Sequence, residues 1–118
     1  MAKSNNKTTG KIGEDHACEF LKNKGIEILE RNWGNKWGEI DIIARDKETV
    51  VFVEIKTKVG ISFGTPEEMV NPKKLAQIQR LASTYPLAKN NQLRIDVVAV
   101  ILKPDQNIQS INHYPAVY

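Results

Sequence analysis

The stretch from Trp37 to Lys58 limits what this chain can fold into more than any other. Two apolar, β-branched runs, Glu39 to Arg45 and Val50 to Lys58, flank the polar Asp46-Lys47-Glu48-Thr49. That pattern is a β-hairpin signal. If Asp46 and Thr49 close the hairpin, Arg45 faces Val50, Ile43 faces Phe52, Asp41 faces Glu54 and Glu39 faces Lys56. Side chains alternate along a strand. Glu39, Asp41, Ile43, Phe52, Glu54 and Lys56 are therefore expected on one face, and Ile40, Ile42, Val51, Val53 and Ile55 on the other.

Like charges facing each other across a ladder destabilise it. Asp41 opposite Glu54 therefore calls for a cation between them. Hard divalent ions such as Mg²⁺ or Mn²⁺ take carboxylate oxygens and keep waters for a substrate. Lys56, two residues beyond Glu54 on the same face, adds a positive charge. Two carboxylates, a lysine and a metal suit phosphodiester hydrolysis. The metal polarises the phosphate and lowers the pKa of a bound water, and the lysine stabilises the charge that develops. The plainer alternative is a solvated face carrying a Glu39–Lys56 ion pair. It accounts for two of the four charges and leaves Asp41 against Glu54.

At 118 residues, 41% hydrophobic and 26% charged, the chain has the size and balance of one globular domain. No apolar run approaches the ~20 residues of a membrane span. Met1 to Lys7 is polar, without the apolar segment of a secretory signal. The single cysteine, Cys18, fits a reducing compartment. The expectation is a cytoplasmic protein with no membrane partner. A net charge of +3 is compatible with a polyanion partner without requiring one.

Residues 1–8 read as a disordered arm ahead of a single domain over 9–118. Thr8 or Thr9 would cap a helix running to about Lys24, with Gly25 as its stop. Glu14 shares a stripe with Ala17, Cys18 and Leu21. There it either serves the helix dipole or reaches the hairpin. Ile26 to Asn32 reads as a strand. Arg31, Trp33, Lys36 and Trp37 then interleave cations and aromatics in a loop, which suits stacking on nucleic-acid bases or plain packing of the loop. Lys58 and Ser62, in the loop after Lys56, are candidate phosphate contacts.

Asn71 and Pro72 open a second helix. Leu75, Ile78, Leu81, Ala82 and Tyr85 form its apolar stripe, and Pro86 ends it. Lys73 and Lys74 in its first turn suit a bound phosphate or a solvated charge pair. Gln92 to Leu102 reads as a buried strand. Its Arg94 and Asp96 either satisfy each other or support the first helix and Glu14. Asn107 to Tyr114 reads as a last, edge strand.

Asp41 followed by Glu54-Ile55-Lys56 resembles the active site of the PD-(D/E)-x-K nuclease superfamily. The resemblance is closer to the bacterial YraN family, small proteins similar to archaeal Holliday-junction resolvases. The matching pieces are Gly13 to Ala17, Gly38 to Ile43, Val51 to Lys56, Phe63-Gly64, Pro72-Lys73-Lys74 and Arg94 to Val100, in that order. Lys58 departs from it, because the family more often has Arg there. Lysine keeps the charge without the bidentate geometry.

The resemblance implies a restriction-endonuclease-like core. It places Glu14 in the metal site, favours Lys74 as a phosphate contact and turns Gln77 toward the site. Glu39, Gln77, Arg94 and Asp96 are expected to support the site from behind.

The fold expected is α/β, a mixed central sheet flanked by helices in the order αβββαββ. The leading functional expectation is a metal-dependent endonuclease on DNA, with branched or recombination intermediates as substrates. Asp41, Glu54 and Glu14 would hold Mg²⁺ or Mn²⁺, Lys56 would assist catalysis, and a homodimer would present two sites. The alternative is a nucleic-acid-binding protein that keeps the fold without cutting.

Overall fold

The hairpin forms around its turn. β2 (Gly38–Asp46) and β3 (Thr49–Val59) pair antiparallel from Asp46↔Thr49 through Ile43↔Phe52 to Ile42↔Val53. Lys47, at φ +57, makes the tight reversal. This is the register that the turn residues predict. The computed structural model describes the backbone of residues 2–60 and 70–118, and the side chains of 8–60 and 70–118. Ser62 and the Phe63-Gly64 motif lie outside them.

The remaining elements assemble on this hairpin. The order is α1 (Ala2–Asn23), β1 (Glu27–Asn35), β2, β3, α2 (Pro72–Ala82), β4 (Gln92–Leu102) and β5 (Ile108–Tyr114). The sheet follows the chain, β1-β2-β3-β4-β5. Only the β3–β4 pair is parallel, and the others are antiparallel. This is the α/β order αβββαββ expected from the sequence.

α1 runs from Ala2, so neither Thr8 nor Thr9 marks its start; no proline or glycine interrupts Ala2 to Thr9. It ends on Gly25 (φ +84). The Gly25 amide donates to the Lys22 carbonyl and the Ile26 amide to that of Leu21. That double closure is the Schellman motif, which needs a residue free to take left-handed φ. Asn71 caps α2 by accepting from the Lys74 amide at 2.8 Å, with Pro72 in the first turn.

The two faces of the sheet bury different sets. Between α1 and the sheet lie Ala17 and Leu21 of the helix and Ile42, Ala44, Val51, Val53, Val98 and Val100 of the strands. Under α2 lie Ile40, Ile43, Phe52, Ile78, Leu81, Tyr85 and Ile95. Each fully buried aliphatic or Phe side chain contributes roughly 1.5–3 kcal/mol.

One expectation fails here. Ile40 packs under α2 with Ile43, and not with Ile42 under α1. The cause lies in the neighbouring strand, where Asn32 takes φ +52. The β1–β2 pairing runs from Arg31↔Ile42 to Trp33↔Ile40 and passes over Asn32 and Asp41. A left-handed residue in one strand breaks the alternation, and both strands turn over at that point.

A second expectation is also corrected. Arg31 and Trp33 are not in a loop. β1 extends to Asn35 because it pairs along the whole of β2, and the reversal falls at Lys36 and Trp37.

Candidate active site

The ladder between β2 and β3 stops at Ile42↔Val53, one residue short of Asp41 and Glu54. Beyond that point the Ile55 amide donates to the Asp41 carboxylate at 2.8 Å. Asp41 is thus pinned by a backbone bond from the strand carrying Glu54. Burial, and then the Glu54 carboxylate beside it, push the Asp41 carboxyl up to about 7; the Ile55 amide opposes the shift and Glu14 adds to it. The two carboxylates are held together in a partly dry site, but Asp41 and Glu39 line the α1 side with Ile55 and do not share the face of Ile43 and Phe52, because the alternation breaks at Asp41.

The cations gather at Glu54, which is 6% exposed. The Lys56 ammonium lies 3.7 Å from Glu54 Oε2 and the Lys74 ammonium 3.8 Å from the same atom. Lys74 arrives from the first turn of α2, so a second element brings a cation to the same carboxylate. The cross-strand ion pair of Glu39 with Lys56, the plainer reading of this face, does not form. Glu39 instead accepts from Asn32 at 3.2 Å.

On the α1 side Asp41 lines an open groove of about 720 Å³ with Lys11, Glu14, Asn32, Glu39, Ile55 and Thr57. α1 reaches this groove because Gly13 packs flat on β3. A Cβ there would fall 2.0 Å from Thr57 Oγ1. Glu14 is therefore near the pair, but it is already engaged. It accepts from Arg31 Nη2 at 2.9 Å and from Asn32 Nδ2 at 3.1 Å, and Arg31 also holds Asp15 at 2.7 Å.

Among the described residues, no three His, Cys, Asp or Glu side chains are grouped closely enough to hold a metal unaided. Asp41 and Glu54 would be the side-chain donors to any cation held here. Such a pair suits an ion of the Mg²⁺ type, which completes its shell with water and substrate oxygens.

The other sequence candidates scatter. Trp33 packs edge-on against Tyr85 with ring centroids 5.1 Å apart, partly buried against the α2-side core. Gln77 does not face the acids, because its amide donates to the Trp37 carbonyl. Lys58 and Lys73 are exposed, at the end of β3 and the start of α2. Lys36 lies over the Trp37 ring at 4.7 Å.

Arg94 grips Asp96 through two bonds of 2.8 and 3.0 Å and reaches Asp46 at 3.1 Å. Asp96 also takes His113 Nε2 at 2.7 Å and the Ala116 amide at 2.9 Å. Burial alone would raise its carboxyl; these partners outweigh that and hold it below the ordinary value. The Lys24 ammonium reaches His113 Nδ1 at 2.7 Å. The Arg94–Asp96 pair thus ties down the C-terminal end of α1 and the chain terminus, and does not touch Glu14.

Asn32 and His113 were missed in the sequence. An asparagine inside a strand run is a signal in hindsight, since Asn tolerates left-handed φ. His113 left none, because its partners are distant in the chain.

A family model matches residues 13–100, the span holding Glu14, Asp41, Glu54, Lys56 and Lys74. The chain belongs to the uncharacterised protein family UPF0102. This is the YraN family that the sequence motifs resemble. A UPF0102 protein of Geotalea daltonii is 48% identical over 94% of this chain and 89% of its own length. One from Dictyoglomus turgidum is 41% identical over 94% and 97%, and one from Caldanaerobacter subterraneus 42% over 96% of each. The match to these UPF0102 relatives runs nearly end to end. No helix among the described residues is long and apolar enough to cross a membrane.

Proposed function

We propose that this protein is a metal-dependent nuclease that hydrolyses phosphodiester bonds, with DNA as substrate and branched or recombination intermediates as the first class to test. The observation that carries the reading is the Asp41–Glu54 carboxylate pair, with Lys56 and Lys74 both within 4 Å of Glu54. Asp41 and Glu54 would hold Mg²⁺ or Mn²⁺, with the Ile55 carbonyl as a further donor. A cation bound there would supply a polarised phosphate and an acidified water. Lys56 would orient that water or balance the charge gained by the phosphate, and Lys74 would fix the phosphate on the same carboxylate. Glu14 would join through water or after release from Arg31. Cutting both strands of a branched substrate needs two sites, so a homodimer is part of the reading.

The test is cleavage of a four-way junction, a flap, a single strand and a linear duplex by the purified protein with Mg²⁺ or Mn²⁺. Glu54→Gln serves as the control. Structure-selective cutting that disappears in the variant supports the nuclease. The hold of Arg31 and Asn32 on Glu14 favours a second reading, a nucleic-acid-binding protein that does not cut. Junction binding without cleavage under either metal would decide for it.

A further inference from the structure

Trp37 lies at the β1–β2 reversal and is 65% exposed. Single exposed apolar residues are ordinary, but this one is held in place. Its amide donates to Asn35 Oδ1 at 2.8 Å and its carbonyl accepts from Gln77 of α2. The next residue, Gly38, leaves no room for a Cβ, which would meet the Gln77 amide at 2.5 Å. The turn therefore presses on α2 and fixes the backbone of Trp37 at both polar atoms, while the ring stays outside the core. The tryptophan four residues earlier, Trp33, is partly buried and packed against it. Fixing the backbone while leaving most of the indole in water gives the fold little burial energy. It does supply a preorganised planar surface.

The surroundings fit one kind of occupant. Trp37 walls a groove of about 280 Å³ with Arg80, Leu81 and Thr84, the scale of one planar group. The Lys36 ammonium lies over a face of the ring, 4.7 Å from its centroid, where a phosphate beside a stacked base could displace or share it. Lys73 and Arg80 also line the surface of α2 beside it, and neither forms an ion pair among the described residues. A planar aromatic ringed by cations matches a nucleobase and its flanking phosphates. Along α2, Arg80 to Ala82 stand roughly 9–12 Å from Lys74 at about 1.5 Å per residue. At about 3.4 Å per stacked nucleotide, that is three to four nucleotides from the lysine that reaches Glu54.

We infer that Trp37 is a stacking platform for an unpaired base, with Lys36 and Arg80 on its phosphates. The preferred substrate then carries single-stranded character three to four nucleotides from the scissile bond. This rests on the nuclease reading for its function, but its test does not depend on cutting.

The experiment follows indole fluorescence in a Trp33→Phe, Glu54→Gln protein, in which Trp37 is the only tryptophan. The probes are an eight-nucleotide oligothymidylate, its uridylate counterpart, the same DNA length with abasic sites, and a blunt duplex. The oligothymidylate is expected to quench Trp37. The abasic strand, which keeps the phosphates, should bind about tenfold more weakly and without quenching. The uridylate arm reports whether DNA and RNA are distinguished.

In the Glu54→Gln protein with Trp33 retained, Trp37→Ala should weaken oligothymidylate binding about tenfold by anisotropy, and Trp37→Phe should retain most of it. Arg80→Ala should weaken all charged probes alike. Equal affinity of Trp37→Ala for base-bearing and abasic strands at wild-type strength would overturn the inference. So would a blunt duplex that quenches as strongly as the single strand. Quenching by a protein that never cuts defeats the nuclease reading alone. Cutting of single-strand-containing substrates at full rate by Trp37→Ala defeats the platform alone.

Discussion

The Ile55 amide is held by the Asp41 carboxylate at 2.8 Å, just where regular pairing between the two central strands ends. One side chain does what a backbone carbonyl does elsewhere in the ladder. The strand ends stay close enough for two carboxylates to meet, yet the acid remains turned toward the groove.

That position gives a pH signature. The ordinary value of the Asp41 carboxyl is 3.8, and in the folded protein it is about 7. An acid whose pKa rises on folding binds its proton more tightly in the native state. Stability is therefore greatest below pH 4 on this account and falls as pH climbs from about 4 to about 7. Asp41→Asn can still accept from Ile55 and removes the fall. Its Tm should match wild type near pH 4 and exceed it at pH 8 by roughly 10 °C or more, since moving a carboxyl from 3.8 to about 7 corresponds to about 4 kcal/mol. Mg²⁺ or Mn²⁺ should raise the Tm of wild type at pH 8 and leave the variant unmoved. Parallel Tm curves for the two proteins from pH 4 to 8 would refute this.

Lys56→Ala should lower cleavage by about 10²–10³-fold, the scale for losing one donor at developing charge, with the Tm little changed. Lys74→Ala should act mainly through KM, since it contacts the site from a different element. Wild-type cleavage rates in both variants would remove the lysines from the mechanism.

Arg31→Ala should cost about 1–2 kcal/mol by denaturant unfolding, because Glu14 is only 13% exposed and loses its cation. It should also free Glu14 toward the groove and tighten Mn²⁺ binding measured by calorimetry. Mn²⁺ affinity unchanged in both Arg31→Ala and Glu14→Gln would place Glu14 outside the reach of the metal.

Gly13→Ala should destabilise by about 1–3 kcal/mol, because its Cβ would sit on the Thr57 side chain. Thr57→Ala in the same chain should recover most of that loss. The double-mutant cycle reads the coupling directly; additive losses would mean that α1 shifts instead of clashing.

Much of this was legible because it is local. Four residues, Asp46 to Thr49, set the register and so brought Asp41 to Glu54. Asn71-Pro72 and Gly25 marked helix ends through their own backbone chemistry. The legible part ended where a partner lay far along the chain or a strand broke its period. Strict alternation put Ile40 under the wrong helix, since nothing in β2 itself announces the left-handed Asn32 beside it. The basic and aromatic run from Arg31 to Trp37 looked like one binding surface. The fold gives Arg31 to the acids of α1, Trp33 to the core and only Lys36 and Trp37 to solvent. Asp96 is explained by His113, whose role no local pattern could reveal.

The sheet that takes its strands in chain order also sets a timetable. The hairpin closes over a two-residue reversal, so both acids and Lys56 can meet as soon as the first sixty residues exist. Lys74 and the parallel partner of β3 wait for the long return from Gly60 to Gln92, whose closure is the slow, entropically expensive step. On contact order, the hairpin half of the site is expected to form first and to wait for its second lysine.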